Sequence, residues 1–175
     1  IHFFDMDRLT YHEELANKLG LTQELLPALC GCDSIVGEVT EDVAKKTGLK
    51  AGTPVVAGGL DAACGTLGAG VYQTGQTQEQ GGQAGGMSIC MDKALSHKKL
   101  ILGTHVVPGL WLLQGGTVGG GGALKWFRQE LGKGMSFDEL TAEAEEISAG
   151  ADGVVFLPYM AGERSPIRNP DAKGG

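Results

Sequence analysis

The chain has 175 residues, with 14 Lys and Arg against 21 Asp and Glu and a formal charge of −7. That acidic balance excludes a surface built to grip a polyanion, so nucleic acid is not an expected partner, and the one basic stretch, His97-Lys98-Lys99, reads as a solvated loop. At this length roughly 70% of the unfolded surface should be hidden, which predicts a substantial core.

Taken in chain order, "TYHEELANKLGLTQELLPAL" carries leucines at mixed three- and four-residue steps, broken at Gly20 and Pro27, and predicts two short helices with a turn. "DSIVGEVTEDVAKKTGLKAGTPVVAGG" predicts a short strand, a helix opened by Thr40 with Glu41 and Asp42 in its first turn, and a buried strand from Pro54 to Ala57. The small residues of "AACGTLGAG" suit a helix packed hard against a sheet. "QTQEQGGQAGGMSICMD" then reads as two strands around a glycine turn, and Pro108-Gly109 between two apolar runs reads as a hairpin.

Two further helices follow. "GGGGALKWFRQEL" places Leu124, Phe127 and Leu131 on one face with Ala123 beside them, and Trp126 is expected to anchor that helix in the core. Ser136 and Glu139 have capping-box spacing, so Ser136 is expected to cap the second. "GVVFLPYM" predicts a buried strand leading into the polar segment "AGERSPIRNPDAKGG". Strands and helices in mixed succession indicate an α/β domain or the middle of one.

The cysteines Cys30, Cys32, Cys64 and Cys90 lack metal-site spacing and the histidines are scattered, so reduced structural thiols are expected and no metal ligands are assigned. No apolar run approaches 18 residues. A cytoplasmic enzyme with no membrane partner is the expectation. Opening on Ile1 and closing on Ala172-Lys173-Gly174-Gly175, the chain reads as part of something longer.

Three stretches carry possible chemistry. Asp61 lies between the apolar run "VVAGGL" and a run of small residues, where it is either a helix N-cap or a general base at the carboxyl end of a strand. The glycine stretches "GGQAGG" (81–86) and "GGTVGGGG" (115–122) serve turn packing or bring backbone amides to a phosphate. Neither is a Walker A loop or a dinucleotide fingerprint, and a dinucleotide-dependent oxidoreductase is set aside on that ground. Glu163 and Arg164 form either an ion pair on an ordinary loop or part of a binding lid.

In order and in combination, "HEELANKLGLTQELLP", "VGEVTEDVAKKTGLKAGTPVVAGGLDAACGTLGAGV", "GGGGALKWFRQEL" and "VVFLPYMAGERSPIRNPDAKG" resemble the FGGY family of carbohydrate kinases, most closely its xylulokinase-like members. The resemblance implies an α/β, actin-like ATPase (ribonuclease-H-like) fold with two domains, residues 1–58 ending the sugar-binding domain and 59–175 beginning the ATP-binding domain. It implies ATP and Mg²⁺ as cofactors, a small sugar or polyol as substrate, and Asp61 as the catalytic base that also contacts that substrate. A homodimer stays open.

The family's second phosphate turn, usually Gly-Thr-Ser-Gly or Gly-Thr-Gly, falls on Gly82-Gln83-Ala84-Gly85, without its hydroxyl. Gly82, Gln83, Gly85, Gly121 and Lys125 are the implied nucleotide contacts, and the "GERSP" loop matches the family's "GERTP". The family's first phosphate turn, Asp-x-Gly-Thr, has no counterpart here, so the chain by itself is expected to be inactive. A nucleotide-binding regulatory or structural actin-like protein without sugar kinase activity is the alternative expectation.

Overall fold

The computed structural model describes residues 3–175. Strands β1 (Phe4–Asp5) and β2 (Thr10–Tyr11) pair antiparallel ahead of helix α1 (Glu13–Lys18). After a left-handed turn at Gly20, the second expected helix is a single 3₁₀ turn, Gln23–Leu25, because Pro27 follows at once.

Strand β3 (Ile35–Glu38), helix α2 (Glu41–Thr47) and strand β4 (Pro54–Val56) follow as the sequence predicts. The Thr40 hydroxyl caps α2 by accepting the Val43 amide, and Gly48 ends it in the left-handed conformation. β3 and β4 pair antiparallel with an irregular register between Ile35 and Gly37. All three residues of β4 are exposed, so the strand expected at Pro54–Ala57 forms but is not buried. A two-stranded ribbon has no third strand or helix to cover its apolar face.

Helix α3 (Asp61–Gly68) precedes a four-stranded sheet of order β5-β6-β8-β7, built from β5 (Thr77–Gly81), β6 (Gly85–Met91), β7 (Ile101–Thr104) and β8 (Trp111–Thr117). β5 and β6 form the expected antiparallel hairpin, Thr77 opposite Ile89 through Gly81 opposite Gly85. The β7–β8 connection turns at Pro108-Gly109, with Gly109 at φ +76° and the His105 amide donating to the Leu110 carbonyl. Helices α4 (Gly121–Glu130) and α5 (Phe137–Glu145) complete the order. Ser136 caps α5 in a full capping box with Glu139.

The chain divides into two compact units. One runs from the start of the described residues to Gln76 and includes Cys90–Leu95 and Leu102–Leu112; the other comprises Thr77–Ile89, Ser96–Ile101 and Leu113–Gly175.

The first unit is organised around Ala63, Val71, Cys90 and Leu112, with Val106 and Leu110 packed against them. His105 is buried beside this cluster: its Nε2 lies 2.9 Å from the Val71 carbonyl oxygen, and its Nδ1 accepts the Val107 amide at 2.9 Å. Burial also pushes the Cys90 thiol up from its ordinary value. The four cysteines are free thiols, and only Cys90 is fully buried.

In the second unit the apolar run Val154–Leu157 belongs to no strand, Leu157 exchanging backbone hydrogen bonds with Gly175 alone, and Val154 and Val155 are about three-quarters exposed (75% and 76%). The expected buried strand is therefore absent among the described residues, because such a run is buried only when neighbours supply both ladder and cover. Likewise Ala123 is the one buried residue of α4, while Leu124, Trp126, Phe127 and Leu131 remain exposed, so Trp126 is not a core anchor here.

Candidate functional site

Within the first unit, two glycines set the approach to Asp61. Gly58 takes φ +75°, which a side chain disfavours, and its amide donates to the Cys32 carbonyl. Gly59 has no room for a Cβ: one built there would strike Val106 and lie 3.3 and 3.4 Å from the sulfurs of Cys32 and Cys64. The chain is thus bent and pressed close before it enters α3.

Leu60 occupies the cap position of α3 and makes no side-chain cap, so Asp61 is the first helical residue and not the N-cap. Its Oδ1 accepts the Ala62 amide at 2.7 Å, and the residue is exposed. An acid in the first turn suits the helix dipole, and the local bond fixes one carboxylate oxygen while solvent reaches the group. Thr66, one turn on, is fully buried and returns its hydroxyl to the Ala62 carbonyl.

Within the second unit, the β5–β6 turn is packed backbone to backbone on the start of α4. The Gly121 amide donates to the Gly82 carbonyl at 2.7 Å and the Gly122 amide to the Gln83 carbonyl at 3.1 Å. These are amides that a helix start leaves without an intrahelical acceptor, and carbonyls of the turn satisfy them in place of a capping side chain. A Cβ on Gly120 would lie 2.5 Å from the Gly85 nitrogen and 2.6 Å from the Ala84 carbonyl carbon, and one on Gly121 2.8 Å from the Gly82 oxygen. The glycine run is therefore required for close approach.

Gln83 is exposed, and its side chain lies against Gly122, where a Cβ would meet its Cδ at 2.8 Å. Inside the turn the Gly82 amide bonds to the Ala84 carbonyl, while the Gln83 and Ala84 amides make no backbone hydrogen bond among the described residues. Lys125 is exposed on α4.

The third stretch folds against β8. Glu163 is only 6% exposed, and its Oε2 accepts the Thr117 hydroxyl at 2.6 Å. Its Oε1 accepts the Val118 amide at 3.0 Å and the Arg164 amide at 2.6 Å. Burial pushes the carboxyl upward; the Thr117 hydroxyl, the Arg164 and Val118 amides and the nearby Arg164 charge outweigh it and hold the group below the usual carboxylate range.

No Glu163–Arg164 ion pair forms. Among the described residues the ion pairs are Arg8–Asp5 and Lys18–Glu14, and Arg164 meets Glu163 through its backbone. The loop is tied further by the Ser165 hydroxyl to the Lys99 carbonyl, the Gly116 amide to the Ser165 carbonyl, and a Glu163–Asn169 backbone bridge. Arg164 also lines a cleft of about 190 Å³ with Ala84, Gly85, Gly86, Gln114 and Gly115.

Thr117 was not marked by its surroundings as a candidate. Its signal was faint: the lone hydroxyl within "GGTVGGGG".

The profile of the FGGY family of carbohydrate kinases, N-terminal domain, matches residues 1–68, and that of its C-terminal domain matches residues 85–175. A xylulose kinase of Lactococcus lactis is 32% identical over 171 residues, which is 97% of this chain and 34% of that protein. A gluconokinase of Bacillus licheniformis is 29% identical over 97% of this chain and 35% of its own length.

The crystal structure of xylulose kinase from Rhodospirillum rubrum superposes with a TM-score of 0.84 at 32% identity, covering 99% of this chain and 35% of that one. The chain thus spans about a third of the length of the relatives it matches. Its fold is the corresponding part of the actin-like, ribonuclease-H-like architecture of these kinases. With the N-terminal-domain profile matching through α3, the C-terminal-domain profile matching residues 85–175 and a structural likeness over 99% of this chain, the chain belongs to the FGGY family of carbohydrate kinases.

Proposed function

We propose that the complete protein is an ATP-dependent carbohydrate kinase that transfers the γ-phosphate to a hydroxyl of a ketose or polyol, with Asp61 as general base. The observation that carries the reading is Asp61 itself: an exposed carboxylate at the first residue of α3, one oxygen fixed by the Ala62 amide at 2.7 Å, in a chain of this family. A general base must reach the proton that it takes, and an exposed, locally oriented carboxylate meets that requirement. In this reading residues 1–58 end the sugar-binding domain and 59–175 begin the ATP-binding domain, while the N-terminal-domain profile matches on through residue 68, Asp61 included, and the C-terminal-domain profile matches from residue 85.

The turn Gly82-Gln83-Ala84-Gly85 fits a phosphate group by its own chemistry. Its Gln83 and Ala84 amides are not consumed by backbone bonds, and the glycines at the start of α4 bring only backbone against it. MgATP, when bound, supplies the transferable phosphoryl group. Gly82, Gln83 and Gly85 would hold its phosphates, Gly121 would keep the helix start close to the turn, and Lys125 would add positive charge from α4. Mg²⁺, entering with the nucleotide, would neutralise charge on its phosphates. No helix among the described residues is long and apolar enough to cross a membrane.

The test is ADP release by the complete protein with MgATP across pentuloses, hexuloses, polyols and sugar acids, including xylulose and gluconate, after which the relatives are named. Stimulation by one or two of these is the expected result. ATP binding with no turnover on any member would instead favour a regulatory nucleotide-binding protein, a reading to which the hydroxyl-free Gln83-Ala84 pair gives specific support.

A further inference from the structure

We propose that Glu163 is a positioning residue for the nucleotide side of the reaction, acting through Thr117 and Val118 on the glycine start of α4; this rests on the kinase reading above.

The geometry forms a continuous relay within one unit. Glu163 is buried and spends both carboxylate oxygens on the end of β8 and the residue after it: Oε2 on the Thr117 hydroxyl and Oε1 on the Val118 amide. Thr117 Oγ1 in turn accepts the Gly119 amide at 3.3 Å, so the carboxylate and hydroxyl together fix three consecutive residues that lead into α4. Gly119 is buried against the Pro158 carbonyl with no room for a Cβ, and Gly120–Gly122 rest on the turn Gly82–Gly85. A shift of the 117–119 segment is therefore passed to the turn, because backbone packed on backbone has no side chain to absorb it. Glu163 also accepts the amide of Arg164, whose side chain lines the same cleft as Ala84 and Gly85.

A plain ion pair would not need this arrangement. Three donors converge on one buried carboxylate, two of them backbone amides of separate segments, so what Glu163 holds is chain position. Gln can replace it in this role: its carbonyl oxygen can accept both amides, and its NH₂ can donate to Thr117, whose hydroxyl rotates to accept. Ala cannot, and leaves the Val118 and Arg164 amides without their acceptor.

The experiment compares wild type, Glu163→Ala, Glu163→Gln and Thr117→Val in the complete protein. It measures kcat, KM for ATP, KM for the sugar that turns over best, affinity for a fluorescent ADP analogue, and amide hydrogen exchange over 118–123. Glu163→Ala is expected to raise KM for ATP and weaken the ADP analogue about tenfold or more, with KM for sugar within about twofold and faster exchange over 118–123. Thr117→Val should shift the same quantities in the same direction by less, and Glu163→Gln should return them to within about threefold of wild type.

Unchanged ATP KM and exchange in Glu163→Ala would overturn the proposal, as would an equal rise in both KM values. If Glu163→Ala does not fold, Thr117→Val decides by the same measures. A wild type that binds no ADP analogue would mark failure of the kinase reading itself. The exchange comparison would then still decide whether Glu163 holds the start of α4.

Discussion

The Gly121 amide lies 2.7 Å from the Gly82 carbonyl oxygen, so the start of α4 is capped by the β5–β6 turn. The cap exists only because neither partner carries a side chain. Gly120→Ala, whose Cβ would lie 2.6 Å from the Ala84 carbonyl carbon, is expected to cost about 1–3 kcal/mol through forced displacement of the turn. Denaturant unfolding of the complete protein would measure it; a cost under about 0.5 kcal/mol would mean that the turn yields freely.

Asp61 gives the functional prediction. In the complete protein Asp61→Asn should retain ATP binding and lose turnover by about 10²–10⁴-fold, the usual contribution of a general base. Steady-state kinetics beside nucleotide titration reads both quantities, and retained turnover would return Asp61 to a purely helical role.

Glu163 should make stability acid-sensitive. Its carboxyl is held below the ordinary value of 4.5, so the unfolded chain binds the proton first as pH falls. The resulting stabilisation is present above about pH 4.5 and is lost as pH drops through the lower folded value. Melting curves of wild type and Glu163→Gln against pH should therefore converge in acid. Parallel curves would show that the ionised group adds nothing.

Leu112 is 1% exposed at the centre of the first unit's core. Leu112→Ala is expected to cost about 2–5 kcal/mol, since the cluster is small and a cavity there has few neighbours to close it. Chemical denaturation followed by tryptophan fluorescence, with Trp111 adjacent in sequence, would report it.

Ser136→Ala removes the hydroxyl that accepts the Glu139 amide and should cost about 1 kcal/mol, within the usual range for an N-cap. Faster amide exchange confined to the first turn of α5 is the accompanying signature.

What could be read from residues alone follows the range of the interactions. Thr40 and Ser136 announce their helices because a cap is settled within four residues, and the β5–β6 hairpin follows from its glycine turn. Val154–Leu157 and the apolar face of α4 misled for the opposite reason: apolarity states a demand for burial, and whether it is met depends on what packs there. Asp61 was legible as a helix-start acid but not its register, because Gly58 and Gly59 put Leu60 at the cap. The Thr117–Glu163 contact joins residues 46 apart, a separation on which local pattern is silent.

His105 offers a different use of the fold. Its Nδ1 accepts the Val107 amide, so the ring proton belongs on Nε2, where it points to the Val71 carbonyl. One tautomer is thereby written into the hairpin between β7 and β8. Nitrogen chemical shifts of this imidazole would serve as a spectroscopic beacon for the first unit, switching to the averaged signal of a free ring when Val71 and Val107 part company.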